Sequence, residues 1–278
     1  MAERVARVER GSGGILPFAR FPLALLWFPG GLLLAFILLP LLRMGLAQSW
    51  QTLSGVAVQS EVQAAIWLSL ESAAITALVA ACLGAPLAYL LAHGQSRIYR
   101  LVDALVDLPL AVPHTVAGIA LLFVFGREGI VGSLTAPIGL AFWGTQAAIV
   151  VAMLFVSVPF MVNSARLGFE GIDPRLEKVA RTLGLTSFEV LYRVDLPLAW
   201  RGILTGMALT YARAISEIGS VMVLAYYPMT APVKIYDLYL QSGLQESSAM
   251  AVLLLMVTLS TFLVMRALVN ASWRPGRT

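Results

Sequence analysis

Long apolar runs set the first constraint on this chain. From Ala64 to Ala92 only Glu71 is charged, and the run exceeds the roughly 20 residues a helix needs to cross the hydrocarbon core. Five more stretches of this kind are readable: about Phe21–Leu42, Leu110–Gly126, Gly144–Asn163, Gly202–Ala225 and Ala249–Leu268. A chain in lipid must satisfy its backbone donors and acceptors internally, so such stretches become helices. Charged residues are 12% of the 278, against about 25% in a soluble domain. The expected fold is an all-α integral membrane protein with about six transmembrane helices. Pro109 and Pro113 interrupt the start of the third stretch. The first has too long an apolar run for a cleaved signal peptide and reads as a retained helix.

Basic residues give the chain an orientation, because cytoplasmic loops collect Lys and Arg. Fifteen of the nineteen fall on one side: Arg4, Arg7, Arg10 and Arg20, then Arg97 and Arg100, then six between Arg166 and Arg201, then Arg266, Arg274 and Arg277. Arg43, Arg127 and Lys234 fall on the other side, and Arg213 lies inside a span. Both termini and the fourth loop are therefore expected in the cytoplasm. The net charge of +4 is a topology signal, and no nucleic-acid partner is expected. The chain divides into a basic tail at 1–20, a membrane domain at 21–268 and a second cytoplasmic tail at 269–278. No GxxxxGK[ST] segment occurs, so the chain does not cradle nucleotide phosphates itself. Cys82, the only cysteine, lies in an apolar span and reads as a small core residue.

The fourth loop, about 164–201, holds the most organised polar segment, LEKVARTLGLTSFEVLYRVDLP from Leu176 to Pro197. Asp173 is a good N-cap and Pro174 suits the first helical position. Gly184 can take the left-handed conformation that ends a helix. Thr186 and Glu189 match a capping box for a second helix, which Leu196-Pro197 closes. Leu176, Ala180 and Leu183 share one face of the first helix. That face would either dock on a soluble partner or pack on its own chain.

Within the fifth span, Arg213 and Glu217 stand four residues apart, on one helix face. A lone charge at mid-bilayer is expensive, so the two are expected to pair. The pair would either face a pathway or lock helices together. Ser216 and Ser220 add hydroxyls that line a polar path or bond back to the helix. Gly202, Gly206, Thr210 and Ala214 form a small-residue stripe, read as packing within the chain rather than a dimer seam. His114 has no evident set of metal partners, and Asp103 and Asp107 read as a solvated helix end.

The loop carries a family resemblance. Gly184, Val194, Leu196 and Pro197 fall in register with the "EAA loop" of ABC importer permeases: Glu-Ala-Ala, three residues, Gly, nine residues, an aliphatic residue, one residue, Leu-Pro. Ala180 matches the second alanine; Lys178 and Val179 depart from the Glu and first Ala, and Glu177 sits one place early. Asp107–Gly126, DLPLAVPHTVAGIALLFVFG, and Ala212–Tyr236, ARAISEIGSVMVLAYYPMTAPVKIY, resemble molybdate, tungstate and sulfate permeases of the type I importers. The Tyr-Tyr-Pro-Met run looks closest to molybdate/tungstate members.

This resemblance implies a homodimeric permease in a prokaryotic inner membrane, with two ATP-binding cassette subunits inside and a solute-binding protein outside. It implies alternating access powered by ATP and Mg on the partner ATPase, with no cofactor and no catalysis on this chain. The ATPase-coupling residues would be Asp173, Leu176, Glu177, Ala180, Arg181, Leu183 and Gly184. Arg213, Ser216, Glu217 and Ser220 would form the translocation pathway or its gate. A sulfate/thiosulfate permease is the near alternative; an independent secondary transporter or channel is the more distant one. An intramembrane enzyme is disfavoured, since no nucleophile–base or metal constellation is readable.

Overall fold

The structure, a computed structural model, describes residues 23–139 and 142–271. The basic tail at 1–20 lies outside them. Two units are distinguished, Met1–Ala47 and Gln48–Thr278. The first contributes one described helix, α1 (Leu23–Leu46), whose apolar side chains such as Trp27, Phe36 and Leu39 are exposed.

In the second unit α3 (Ser60–His93), α7 (Gln146–Glu170) and α10 (Leu196–Ile215) form the packed centre. Small residues make this possible. Ala73, Ala77 and Ala80 of α3, Ala148, Ala152 and Ala165 of α7, and Ala199 and Ala214 of α10 are all buried. Helices in lipid gain most from such close approach. A Cβ on Gly202 would stand 2.7 Å from the Gly168 Cα, and one on Gly206 would stand 3.0 Å from the Met161 carbonyl oxygen. Ser164 Oγ donates to the Gly202 carbonyl at 3.1 Å. The small-residue stripe thus packs α10 on α7 inside the chain. Large apolar side chains turn outward, among them Trp67, Leu78, Leu83, Phe123, Leu259 and Leu263, as a lipid-facing surface requires. Cys82 is exposed among them and is not the core residue its span suggested.

Among the described residues five helical segments are long and apolar enough to span: Trp27–Leu46, Ser60–His93, His114–Ile138, Gln146–Glu170 and Leu244–Ala267. The expected span Gly202–Ala225 is different, because it is not one helix. Helix α10 ends at Ile215, and α11 (Gly219–Leu224) restarts after a short break. The third stretch is also divided. An amphipathic α4 (Arg97–Ala111) with no buried residue ends at the prolines, and α5 (His114–Phe125) begins after Pro113.

Loops are more helical than their composition suggested. α2 (Trp50–Ala57), α6 (Ile130–Thr135) and α12 (Ala231–Ser242) occupy three of them, and α13 runs from Leu244 to Ala271, into the expected tail. In the fourth loop α8 (Pro174–Thr182) is followed by α9 (Ser187–Val190). A π-helical turn at Leu191–Asp195 then leads directly into α10. Pro197 therefore opens a helix rather than closing one. It sits in the first turn, where the donor it lacks has no intrahelical role, and the π turn absorbs the change of register.

Candidate functional site

The break between α10 and α11 gathers the intramembrane polar residues. Arg213 occupies the last turn of α10, and its Nη2 lies 3.0 Å from Glu217 Oε2. Glu217 is 1% exposed and its two oxygens are fully used. Oε1 accepts from the Ser220 N–H at 2.9 Å and the Ser220 hydroxyl at 2.8 Å. Oε2 faces Arg213 and, at 2.8 Å, His114 Nδ1. Glu217 thereby satisfies a donor at the start of α11 that the helix leaves free. A carboxylate only accepts, so the Nδ1 of His114 carries its proton.

His114 was missed by sequence reasoning. It opens α5, about a hundred positions from its partners, and no local spacing announces it. The signal was indirect: glycines flank the crossing. A Cβ on Gly219 would stand 2.6 Å from the His114 Cβ, and one on Gly118 3.0 Å from the Ser220 Cα. Arg213 Nη2 also lies 3.0 and 3.1 Å from the two ring nitrogens of His114. One donor that close to both sits against the ring rather than bonding either nitrogen in plane. Ser216 is exposed and donates back to the Arg213 carbonyl at 2.9 Å. Ser220, by contrast, is buried and serves Glu217. The cluster has a sealed carboxylate, a partly covered guanidinium and a half-exposed imidazole. The Arg213 and Glu217 charges balance, and Arg213 Nη1 lies 3.5 Å from the Ser216 hydroxyl oxygen.

A second group of predicted residues lies on the fourth loop. Asp173 caps α8 through the Arg175 N–H at 2.9 Å. Gly184 has φ +88°; its N–H reaches the Arg181 carbonyl and the Leu185 N–H reaches that of Ala180. This is the Schellman arrangement. Thr186 and Glu189 form the capping box, and the hydrogen bonds from Thr186 hold the Glu189 carboxyl below its ordinary range. Ala180 turns into the chain, whereas Leu176, Val179, Leu183 and Phe188 stay exposed. Leu176 and Leu183 do not share Ala180's environment. Glu177 turns inward to His93 Nε2 at 2.9 Å, with Arg181 Nη2 at 3.9 Å. Asp103 and Asp107 are not merely solvated. Asp103 pairs with Arg166 and Asp107 accepts from Asn163, tying α4 to α7.

Comparisons with known proteins agree with this architecture. The family model described as binding-protein-dependent transport system inner membrane component matches residues 84–274. A molybdate/tungstate transport system permease protein of Pyrococcus furiosus is 39% identical over 87% of this chain and 92% of its own length. A probable molybdenum ABC transporter permease protein of Haloferax volcanii is 39% identical over 96% and 97%. Among solved structures, a bacterial ABC transporter that imports alginate superposes with TM-score 0.67 at 18% identity, over 89% of this chain and 96% of the other. A methionine ABC transporter gives 0.62 at 20%, over 77% and 96%. With the family model covering most of the chain, the multi-pass helical architecture and the relatives together lead to one assignment: the chain belongs to the binding-protein-dependent transport system inner membrane components.

Proposed function

We propose that the chain is the permease subunit of an ABC importer for molybdate or tungstate, working as a homodimer with two ATPase subunits and an external solute-binding protein. The observation that carries this reading is the fourth loop. A helix capped at both ends presents Leu176, Val179 and Leu183 to the outside, the form of a short helix that seats in a partner's groove. ATP and Mg belong to the partner, so this chain performs no hydrolysis. Closure of the ATPases moves α8, and the packed helices rock between inward and outward access. Both termini lie in the cytoplasm of a prokaryotic inner membrane, and residues 164–201 form the coupling loop.

The oxyanion assignment is supported by the names of the relatives. A probable sulfate transport system permease protein of Chlorella vulgaris is also similar, at 30% over 79% of this chain, below the 39% of the molybdate/tungstate protein. Around Arg213 the near-neutral cluster suits passage, since a tight anion site would retain its ion. The test is uptake of labelled molybdate by proteoliposomes holding the chain, its ATPase and its binding protein. Uptake should require ATP and all three components, and tungstate should compete where sulfate does not. Uptake by the chain alone would make it a secondary transporter; competition by sulfate alone would move it to the sulfate group.

A further inference from the structure

Beside the exposed face of α8, three side chains from three elements converge on one point. His93 ends α3, Glu177 lies on α8, and Asp195 ends the π turn before α10. Their ligand atoms lie within 4.8 Å of one another. His93 Nδ1 is 2.8 Å from the Tyr89 carbonyl oxygen. A carbonyl only accepts, so Nδ1 carries the proton, and Nε2 faces Glu177 Oε1 at 2.9 Å. Two lone-pair atoms at that distance need something positive between them. A second proton on the imidazole would serve that pair, but it would give neither Asp195 oxygen a hydrogen bond. Asp195 is 0% exposed, and neither of its oxygens has a hydrogen-bond partner among the described residues. The Tyr89 hydroxyl and the His93 ring lie near enough to stabilise the same carboxylate, but neither meets it in hydrogen-bond geometry. Burial and the nearby Glu177 push that carboxyl above its ordinary range. A buried, unpartnered carboxylate is costly, and buried charges are normally paired or bound to metals.

We propose that His93 Nε2, Glu177 Oε1 and the Asp195 carboxylate bind a first-row divalent cation, zinc(II) by preference. A tetrahedral ion with bonds of about 2.0–2.1 Å spaces its ligand atoms about 3.4 Å apart, between the 2.9 Å of the His93–Glu177 pair and the 4.8 Å limit of the group. The nitrogen ligand disfavours Mg and Ca, which take oxygen. The Tyr89 carbonyl holds the histidine tautomer in the manner common to metal-bound imidazoles. Arg181 stays with the other oxygen of Glu177. Two carboxylates and a neutral imidazole balance the charge of the ion. Side-chain exposures of 34% for His93 and 17% for Glu177 leave a fourth position to water. Bound there, the ion would clamp α8 to the end of α3 and to the start of α10.

The chain is purified with its ATPase partner through a tag free of histidine, stripped with EDTA and titrated with Zn(II) against a chromophoric chelator. One site per permease chain is expected, weakened at least about 10-fold in Asp195→Asn and in His93→Ala. Thermal unfolding provides the second reading. In EDTA, Asp195→Asn should be no less stable than the parent, since it removes a buried unpartnered charge. Zn(II) should raise the Tm of the parent and not of either variant. An unshifted parent with no binding overturns the site and makes Asp195 a protonated buried acid. Equal binding by parent and variants overturns it too, placing the zinc elsewhere. Neither measurement depends on the coupling role given to α8.

Discussion

Glu217 accepts from Ser220 twice and also faces Arg213 and His114, so its removal strands several donors at once. Breaking a buried ion pair from one side costs about 3–5 kcal/mol. Glu217→Ala should therefore lower the yield of monodisperse protein in detergent, and Arg213→Ala should do so less, since Ser220 and His114 still serve the carboxylate. The double change Arg213→Met with Glu217→Gln should recover yield beyond either single change. Transport then separates the roles: full recovery makes the pair structural, and continued loss puts it on the pathway or its gate. Parental behaviour of both single variants would show that the pair is not mutually neutralising. The spacing of four made this pair legible in the sequence. Its histidine was not, because α5 meets the break only through tertiary packing.

Helices were readable from apolar length, and caps from residue type; the breaks were not. Gly202–Ala225 reads as one apolar run around Arg213 and Glu217, yet it opens at Ser216 because Glu217 turns away to cap α11 and Gly219 admits the His114 side chain. The Leu-Pro pair read as a stop but became a start, since a proline fits the first helical turn and the π turn at Leu191–Asp195 takes up the register ahead of it. The caps of the α8 segment were legible: Asp173, Pro174, Gly184, Thr186 and Glu189 all perform the roles their types suggest, whereas the shared face of Leu176, Ala180 and Leu183 was not. Gly184 has open space around its Cα, so the penalty for a side chain there is purely conformational. An L-residue in the left-handed region costs roughly 1–2 kcal/mol. Gly184→Val should leave the membrane helices folded while α8 loses its fixed exit. We expect a normal elution profile with reduced co-purification of the ATPase and reduced stimulation of its ATP hydrolysis. Normal assembly and stimulation would remove the coupling role from this helix.

For the molecule as a whole, contacts between loops fix which ends of the helical unit belong together. His93 and Glu177 touch, so the loop after α3 and the α8 loop share one end. Lys234 of α12 pairs with Glu61 at the start of α3 at 2.7 Å, which puts those elements at the other. Between Glu61 and His93 the helix rises about 48 Å at 1.5 Å per residue, more than the roughly 30 Å of a hydrocarbon core. The two ends therefore face opposite compartments. The α8 end carries Arg97, Arg100, Arg175, Lys178, Arg181 and Arg193, whereas the α12 end carries Lys234 and, over the Trp143 ring, Arg127. By the excess of basic residues in cytoplasmic loops, α8 is expected to face the cytoplasm, the orientation proposed for this chain. Labelling with a membrane-impermeant thiol reagent checks this in intact cells, in a Cys82→Ala background because Cys82 is exposed. A cysteine replacing Thr186, exposed beside Gly184, should stay unreacted until the cells are lysed. One replacing Gln241, exposed near the end of α12, should react at once. Gln241→Cys protected and Thr186→Cys labelled would invert the molecule, and an ATPase could then no longer reach α8.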